Sequence, residues 1–307
     1  MTGEYQQAQS GAASISTPQA VPVPFGTYRL SSVRERLRRA GDQLPVNWVG
    51  RKLNSVFRDL CILGRAAPYD VEVFQGEYAR LHPTDNRCEK RTLCGTQFWD
   101  REERTYLQQM IADAAGDTEF VFVDAGANVG LYTLYTRSVA RDLGCKFRAL
   151  AIEPDTTNGE RLAFNLAQNN YGRVDICNVA LGANRGFVGL TVAGKNRGEI
   201  RLDEATETKT VPLIPLDALA GDLGLDHIDA LKIDVEGYEE KVLRPFFQSA
   251  PQSLWPQAIL IETAAPQTPT PAIEVCFKAG YEVHTWTHMN AILTRSNSVD
   301  ATHELNG

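Results

Sequence analysis

The chain has 307 residues, 43% of them apolar and 22% charged, with 24 Gly, 15 Pro and 8% aromatics. This is ordinary globular composition on a chain long enough to bury a large core without disulfide or metal staples, and it excludes collagen-like, wholly disordered and knottin-like proteins. With 31 Lys and Arg against 38 Asp and Glu, the formal charge of -7 argues against a protein whose main task is to hold a polyphosphate. Cys61, Cys88, Cys94, Cys145, Cys177 and Cys276 are scattered and form no CxxC pair, so zinc ribbons and thioredoxin-type chemistry lose their main sequence support.

Residues 1–28 read as a disordered leader. Met1 to Ala20 is rich in Gln, Ser, Ala, Gly and Thr with Glu4 as its one charge, and lacks the basic and apolar regions of a secretion signal, so a cytoplasmic protein is expected. Val21 to Pro24 alternates Val and Pro, which suits an extended linker. No stretch approaches the roughly 18 consecutive apolar residues of a membrane span.

Residues 29–117 are expected to form a small helical cap with a short hairpin. Ser32-x-x-Glu35 resembles a capping box, and Val49, Leu53, Val56, Phe57, Leu60 and Leu63 recur at helical spacing before Gly64 stops the second helix. Arg29 to Arg58 holds eight basic residues and two acidic ones, a solvated face or an electrostatic guide for an anionic substrate or nucleotide-linked sugar. Val71 to Phe74 and Tyr78 to Leu81 flank Gln75-Gly76 as a hairpin. The polar stretch His82 to Cys94 reads as a loop, either a connector or a substrate-facing lid, and a third helix is expected from Asp100 to Ala115.

From Glu119 onward strands and helices alternate. Phe120 to Asp124, Phe147 to Glu153, Val174 to Cys177, Ala230 to Asp234 and Ala258 to Glu262 are mostly continuous apolar runs, the pattern of parallel strands buried on both faces. Helices fit at Leu131 to Asp142, Asn158 to Asn169 and Glu239 to Phe247, and a last one begins at Pro271. Two closing strands, Tyr281 to Trp286 and Ala291 to Arg295, are expected to pair antiparallel. Extra extended material, Phe187 to Val192 and Thr208 to Leu213, encloses a polar loop from Gly194 to Gly198. The expected fold is α/β, a doubly wound and mostly parallel sheet over residues 118–297, with a flexible tail at 298–307.

The chemistry concentrates where strands end. Phe120-Val-Phe-Val-Asp124-Ala-Gly126-Ala-Asn128-Val-Gly130 is a buried strand that ends in a carboxylate and turns through glycines into a helix, which suits a nucleoside-containing cofactor. A dinucleotide fingerprint needs a third glycine where this loop has none, and an acid at Asp124 repels a pyrophosphate but attracts a cation. The nucleoside that carries a sulfonium and an ammonium is S-adenosylmethionine. Glu153 ends the next strand, where a carboxylate accepts both ribose hydroxyls. Lys232-Ile-Asp234-Val-Glu236-Gly237 ends the fourth strand, with Asp234 and Glu236 able to orient an acceptor hydroxyl, take its proton or ligate a divalent ion. Glu239 reads as a helix cap. His284 and His288 fall in a strand and its turn, where a four-residue spacing makes no metal site, and no metal is expected.

On Val123-Asp124-Ala-Gly126-Ala-Asn128-Val-Gly130, Glu153-Pro154, Ala180-Leu181-Gly182, Pro215-Leu216-Asp217-Ala218-Leu219 and above all Lys232 to Gly237, the segment from about Glu119 to Arg295 resembles the FkbM-type family of S-adenosylmethionine-dependent methyltransferases. The resemblance implies a class I fold with a seven-stranded sheet in the order 3-2-1-4-5-7-6, strand 7 antiparallel. It implies methyl transfer, usually to a hydroxyl oxygen of a sugar, polyketide or related small molecule. Asp124, Gly126, Asn128 and Gly130 would line the methionine end of the cofactor, Glu153 its ribose and Ala180 its adenine. Asp234 would be the base or the group orienting the acceptor, Glu236 its partner and Glu262 the third choice. A nicotinamide-dependent oxidoreductase and a non-catalytic carbohydrate- or protein-binding module that retains the fold are the competing readings. No aromatic ladder interleaved with basic residues points to nucleic acid, and nothing in the sequence specifies an oligomeric state.

Overall fold

Along β3 (Glu119–Ala125) the side chains alternate between two cores: Phe120 and Phe122 pack into one, Val121, Val123 and Ala125 into the other. A strand buried on both faces has to lie inside a sheet with layers on either side, which is why its apolar run is continuous. The computed structural model describes residues 23–116, 118–192, 200–203, 210–263 and 265–295. The expected loop from Gly194 to Gly198, the tail at 298–307 and residues 1–22 of the leader lie outside the described residues.

The main sheet runs β12 (Tyr281–Trp286), β13 (Asn290–Arg295), β11 (Ala258–Glu262), β10 (Ala230–Ile233), β3, β4 (Lys146–Ile152) and β5 (Arg173–Cys177). Neighbours from β11 to β5 are parallel, whereas β13 is antiparallel to both β11 and β12. Counted along this sheet alone, the order is 3-2-1-4-5-7-6 with the seventh strand reversed. Helices α5 (Leu131–Leu143), α6 (Thr156–Leu166), α8 (Glu239–Ser249) and α9 (Pro271–Lys278) make the connections. The extra extended material forms a second sheet of β6 (Ala180–Leu181), β7 (Gly186–Val192), β8 (Ile200–Asp203) and β9 (Thr210–Ile214), and a short helix α7 (Leu216–Asp222) follows it.

The amino-terminal elements are α1 (Ser32–Gly41), α2 (Trp48–Ile62), the hairpin β1 (Tyr69–Phe74) and β2 (Glu77–Leu81), α3 (Arg87–Thr92) and α4 (Arg101–Ala114). They pack directly on the main sheet. Tyr69, Val71, Leu81, Leu93, Trp99, Leu107 and Ile111 share one core with Phe120, Phe122 and Phe147 of the main sheet. A buried ion pair adds to the join: Arg137 of α5 reaches Glu77 of the hairpin at 2.6 Å.

Three local expectations are corrected, and one helix face is unexpectedly open. Order begins before Tyr28, because Gly26 and Tyr28 donate their N–H groups to Asp70 while Arg80 donates to the carbonyls of Val23 and Pro24. No capping box forms at Ser32; Ser31 precedes the helix without a side-chain cap, and Glu35 instead binds Arg38 and Arg39. The polar stretch His82 to Cys94 contains α3, whose first turn is held by the Asn86 side chain accepting from Cys88 and Glu89. The apolar stripe of α2 faces outward: its buried residues are Gly50, Asn54 and Cys61, while Val49, Leu53, Val56, Leu60 and Leu63 are exposed.

Candidate active site

The carboxyl ends of β3, β4, β10 and β11 open on one cleft of about 390 Å³, the edge at which open α/β sheets bind ligands. Asp124, Gly126, Asn128, Glu153, Ala180, Asp234, Glu236 and Glu262 all line it. Gly130 does not; it starts α5 with φ of 88°, and a Cβ there would sit 2.5 Å from Leu162 Cδ1, so its role is to let the loop pack against α6.

Asp124 is 1% exposed. Its Oδ2 accepts from the Thr133 hydroxyl at 2.7 Å and the Thr133 N–H at 3.2 Å, whereas its buried Oδ1 has no hydrogen-bond partner. A buried oxygen without a donor is costly unless a ligand supplies one, and this one belongs to a residue lining the cleft. Burial raises the Asp124 pKa, opposed by Lys232 and by the bonds from Thr133. Lys232, from the alternate position of the same strand motif, was absent from the candidate residues. Its Nζ lies 3.1 Å from Asp234 Oδ2 and 3.3 Å from the Gly126 carbonyl. Burial works against the Lys232 ammonium, but Asp234 and Asp124 outweigh it and hold the lysine pKa above its ordinary value.

Glu153 receives the N–H of Asn128 on Oε2 at 2.8 Å and that of Asp155 on Oε1 at 2.9 Å, leaving each oxygen a further lone pair. Burial pushes its pKa up to about 7 against those two bonds. Asn128 (φ 53°) and Glu236 (φ 53°) both sit in the left-handed region, at the turns leaving β3 and β10. Glu239, the first residue of α8, accepts from the N–H groups of Val235 and Gly237 and so ties down the Glu236 turn; α8 itself has no side-chain cap, so the helix-cap reading of Glu239 is corrected to a turn-bracing one.

The amino-terminal segment supplies the remaining wall: Arg87, Cys88 and Arg91 from α3, then Trp99 and Asp100. Asn86 donates to Asn128 Oδ1 at 2.7 Å, and the Tyr132 hydroxyl donates to Asp100 at 2.9 Å. The stretch His82 to Cys94 thus contributes to the cleft wall, although no motif in it announced this. A second cavity of about 600 Å³ adjoins through Arg87, Arg91, Trp99, Asp100 and Met289; of the eight basic residues between Arg29 and Arg58, Arg51 and Arg58 line it. His82 binds Glu89 and His227 lies between Asp226 and Asp229, both away from the cleft.

The model of the methyltransferase FkbM domain matches residues 124–298, more than half of the chain and including every strand end that lines the cleft. The chain belongs to the FkbM methyltransferase family. As an FkbM methyltransferase it uses S-adenosylmethionine, and the nicotinamide reading is set aside. Among solved structures it is similar to methyltransferase FkbM from Methylobacillus flagellatus KT, with 17% identity over 67% of this chain and 52% of that one and a TM-score of 0.38. It is also similar to M. jannaschii TYW2 in complex with AdoMet, with 14% identity over 76% and 89% of the two chains and a TM-score of 0.38. A third is precorrin-6y C5,15-methyltransferase from Geobacter metallireducens GS-15, with 15% identity over 64% and 89% and a TM-score of 0.36. The chain thus spans about half the length of the Methylobacillus protein. No curated protein matches it. The cleft suits the cofactor: Asp124 offers a buried acceptor oxygen without a donor, and Glu153 offers two oxygens with lone pairs to spare.

Proposed function

We propose that this FkbM methyltransferase methylates a hydroxyl oxygen of a sugar, polyketide or related small molecule. S-adenosylmethionine supplies an electrophilic methyl group. Asp124, with Gly126 and Asn128, holds the methionine end, Glu153 the ribose, and Ala180 lies against the adenine. The observation that carries the reading is the Asp234 carboxylate in the same cleft as Asp124 and Glu153, fixed by Lys232 at 3.1 Å.

An alcohol must lose its proton during or just after attack, so the acceptor side needs an oxygen that can receive it. Asp234 takes that role or orients the hydroxyl, Glu236 assists it, and Glu262 on the neighbouring strand is the third candidate. The methyl group arrives already activated, so alignment supplies much of the acceleration and a modest base suffices. Lys232 holds the Asp234 carboxylate through its 3.1 Å contact and is a positioning residue. A cytoplasmic setting belongs to the same proposal, on six scattered cysteines without a CxxC pair.

The test is Asp234→Asn assayed against a panel of sugar and polyketide hydroxyl acceptors, with S-adenosylhomocysteine affinity measured in parallel. Loss of turnover with cofactor affinity retained is expected; unchanged turnover and unchanged affinity would sink the assignment.

A further inference from the structure

The helix α2 carries an apolar stripe that the fold leaves uncovered. Val49, Leu53, Val56 and Leu60, with Leu63 just past its end, recur at the three- and four-residue spacing of one helix face, and Val56 and Leu63 are 52% and 65% exposed. Trp48 adds the largest side chain at 69% exposed, with the Lys52 ammonium 4.9 Å from its ring centroid. A contiguous exposed stripe of this kind on a soluble fold marks a contact surface.

Its surroundings are cationic although the whole chain is acidic at -7. Residues 29–65 hold nine Lys and Arg and three acids. Two of those acids are already committed, Glu35 to Arg38 and Arg39 and Asp42 to Arg38, while Asp59 lies 3.7 Å from Arg58. Arg29, Arg36, Arg51 and Lys52 are exposed and have no carboxylate partner among the described residues.

We infer that α2 seats the protein on an anionic lipid surface, its apolar stripe entering the headgroup boundary and its flanking cations meeting the lipid charge. A helix with Trp and Leu on one side and Lys and Arg beside it has the amphipathic make-up of an interfacial anchor. Charge decides between occupants. Two copies of this face would set two cationic surfaces against each other, whereas each Lys or Arg near an anionic membrane contributes attraction within about a Debye length. Residues 1–22 offer only Met1, Tyr5, Ile15 and Val21 as large apolar side chains, too few to cover the stripe.

The test is flotation of the full chain with vesicles of phosphatidylcholine alone and of phosphatidylcholine containing phosphatidylglycerol. Binding to the anionic vesicles, weakened by salt and accompanied by a blue shift of Trp48 fluorescence that is lost in Trp48→Phe, is expected. The double variant Val56→Glu, Leu60→Glu should bind about tenfold or more weakly and Lys52→Glu should require lower salt, both with unchanged S-adenosylhomocysteine affinity, since these side chains are exposed and outside the cleft. Equal binding to both vesicle types, no binding by the wild type, or unchanged binding by the double variant overturns the inference. So does a dimer in light scattering that the double variant abolishes, which would assign the stripe to a second copy.

Discussion

The Lys232 ammonium and the Asp234 carboxylate, two residues apart at the end of β10, meet at 3.1 Å inside the cleft, and Lys232 also offsets the burial of Asp124. Removing this cation leaves two carboxylates in one cleft without their shared counterion. Lys232→Met should therefore lower turnover by about tenfold or more, as expected when a buried charge loses its partner. Asp124 would also hold its proton to higher pH, so the pH at which S-adenosylhomocysteine affinity falls away should move upward relative to wild type. Affinity and turnover measured across pH check both effects.

Glu153 sets a second pH dependence. Its pKa of about 7 lies above the ordinary carboxylate value, and a ribose hydroxyl donates best to the ionised form. Cofactor affinity should decline as pH falls through about 7, and Glu153→Gln should be weaker above that pH and lack this decline. Without cofactor the sign for stability is opposite. Between the ordinary carboxylate value and about 7 the folded state binds more protons than the unfolded chain, so stability from this group, roughly 3 kcal/mol, is lost as pH rises. Denaturation at pH 5 and pH 8, with and without S-adenosylhomocysteine, separates the two effects.

Much of the cleft's edge was legible because the signals there are local. A strand buried on both faces writes a continuous apolar run, and acids at the ends of such runs, Asp124, Glu153, Asp234 and Glu262, stand out against it. Lys232 is legible in the motif, but a lysine inside an apolar strand gains meaning only with Asp124 and Asp234 beside it. Asn86 and Asp100 were not legible at all: their contacts to Asn128 and Tyr132 span 42 and 32 residues. The outward face of α2 was not legible either. Helical periodicity reports an apolar face but not whether anything packs on it, and here Gly50, Asn54 and Cys61 face inward instead.

Asn86 couples the amino-terminal wall to the cofactor loop. Its Oδ1 caps α3 and its Nδ2 donates to Asn128. Asn86→Ala should cost about 1–2 kcal/mol of stability through the lost cap and weaken S-adenosylhomocysteine binding by freeing the Asn128 turn. Asn86→Asp keeps the capping oxygen and loses the donor, so it should recover stability more than affinity. Thermal denaturation and calorimetry on the two variants resolve cap from loop.

Gly126 is required by geometry. With φ at 80° and a hypothetical Cβ 1.8 Å from the Asp234 carbonyl oxygen, even Gly126→Ala forces β3 and β10 apart at the point where their acids converge. The variant should be strongly destabilised or fail to bind cofactor when folded; circular dichroism followed by titration decides which.

Cofactor binding depends most directly on the carboxylates at the ends of β3 and β4. Titration calorimetry of the wild type, Asp124→Asn and Glu153→Gln with S-adenosylhomocysteine measures their contribution. One molecule bound per chain, with affinity reduced about tenfold or more in each folded variant, is the predicted result. No binding by the wild type, or wild-type affinity in both variants, would contradict it.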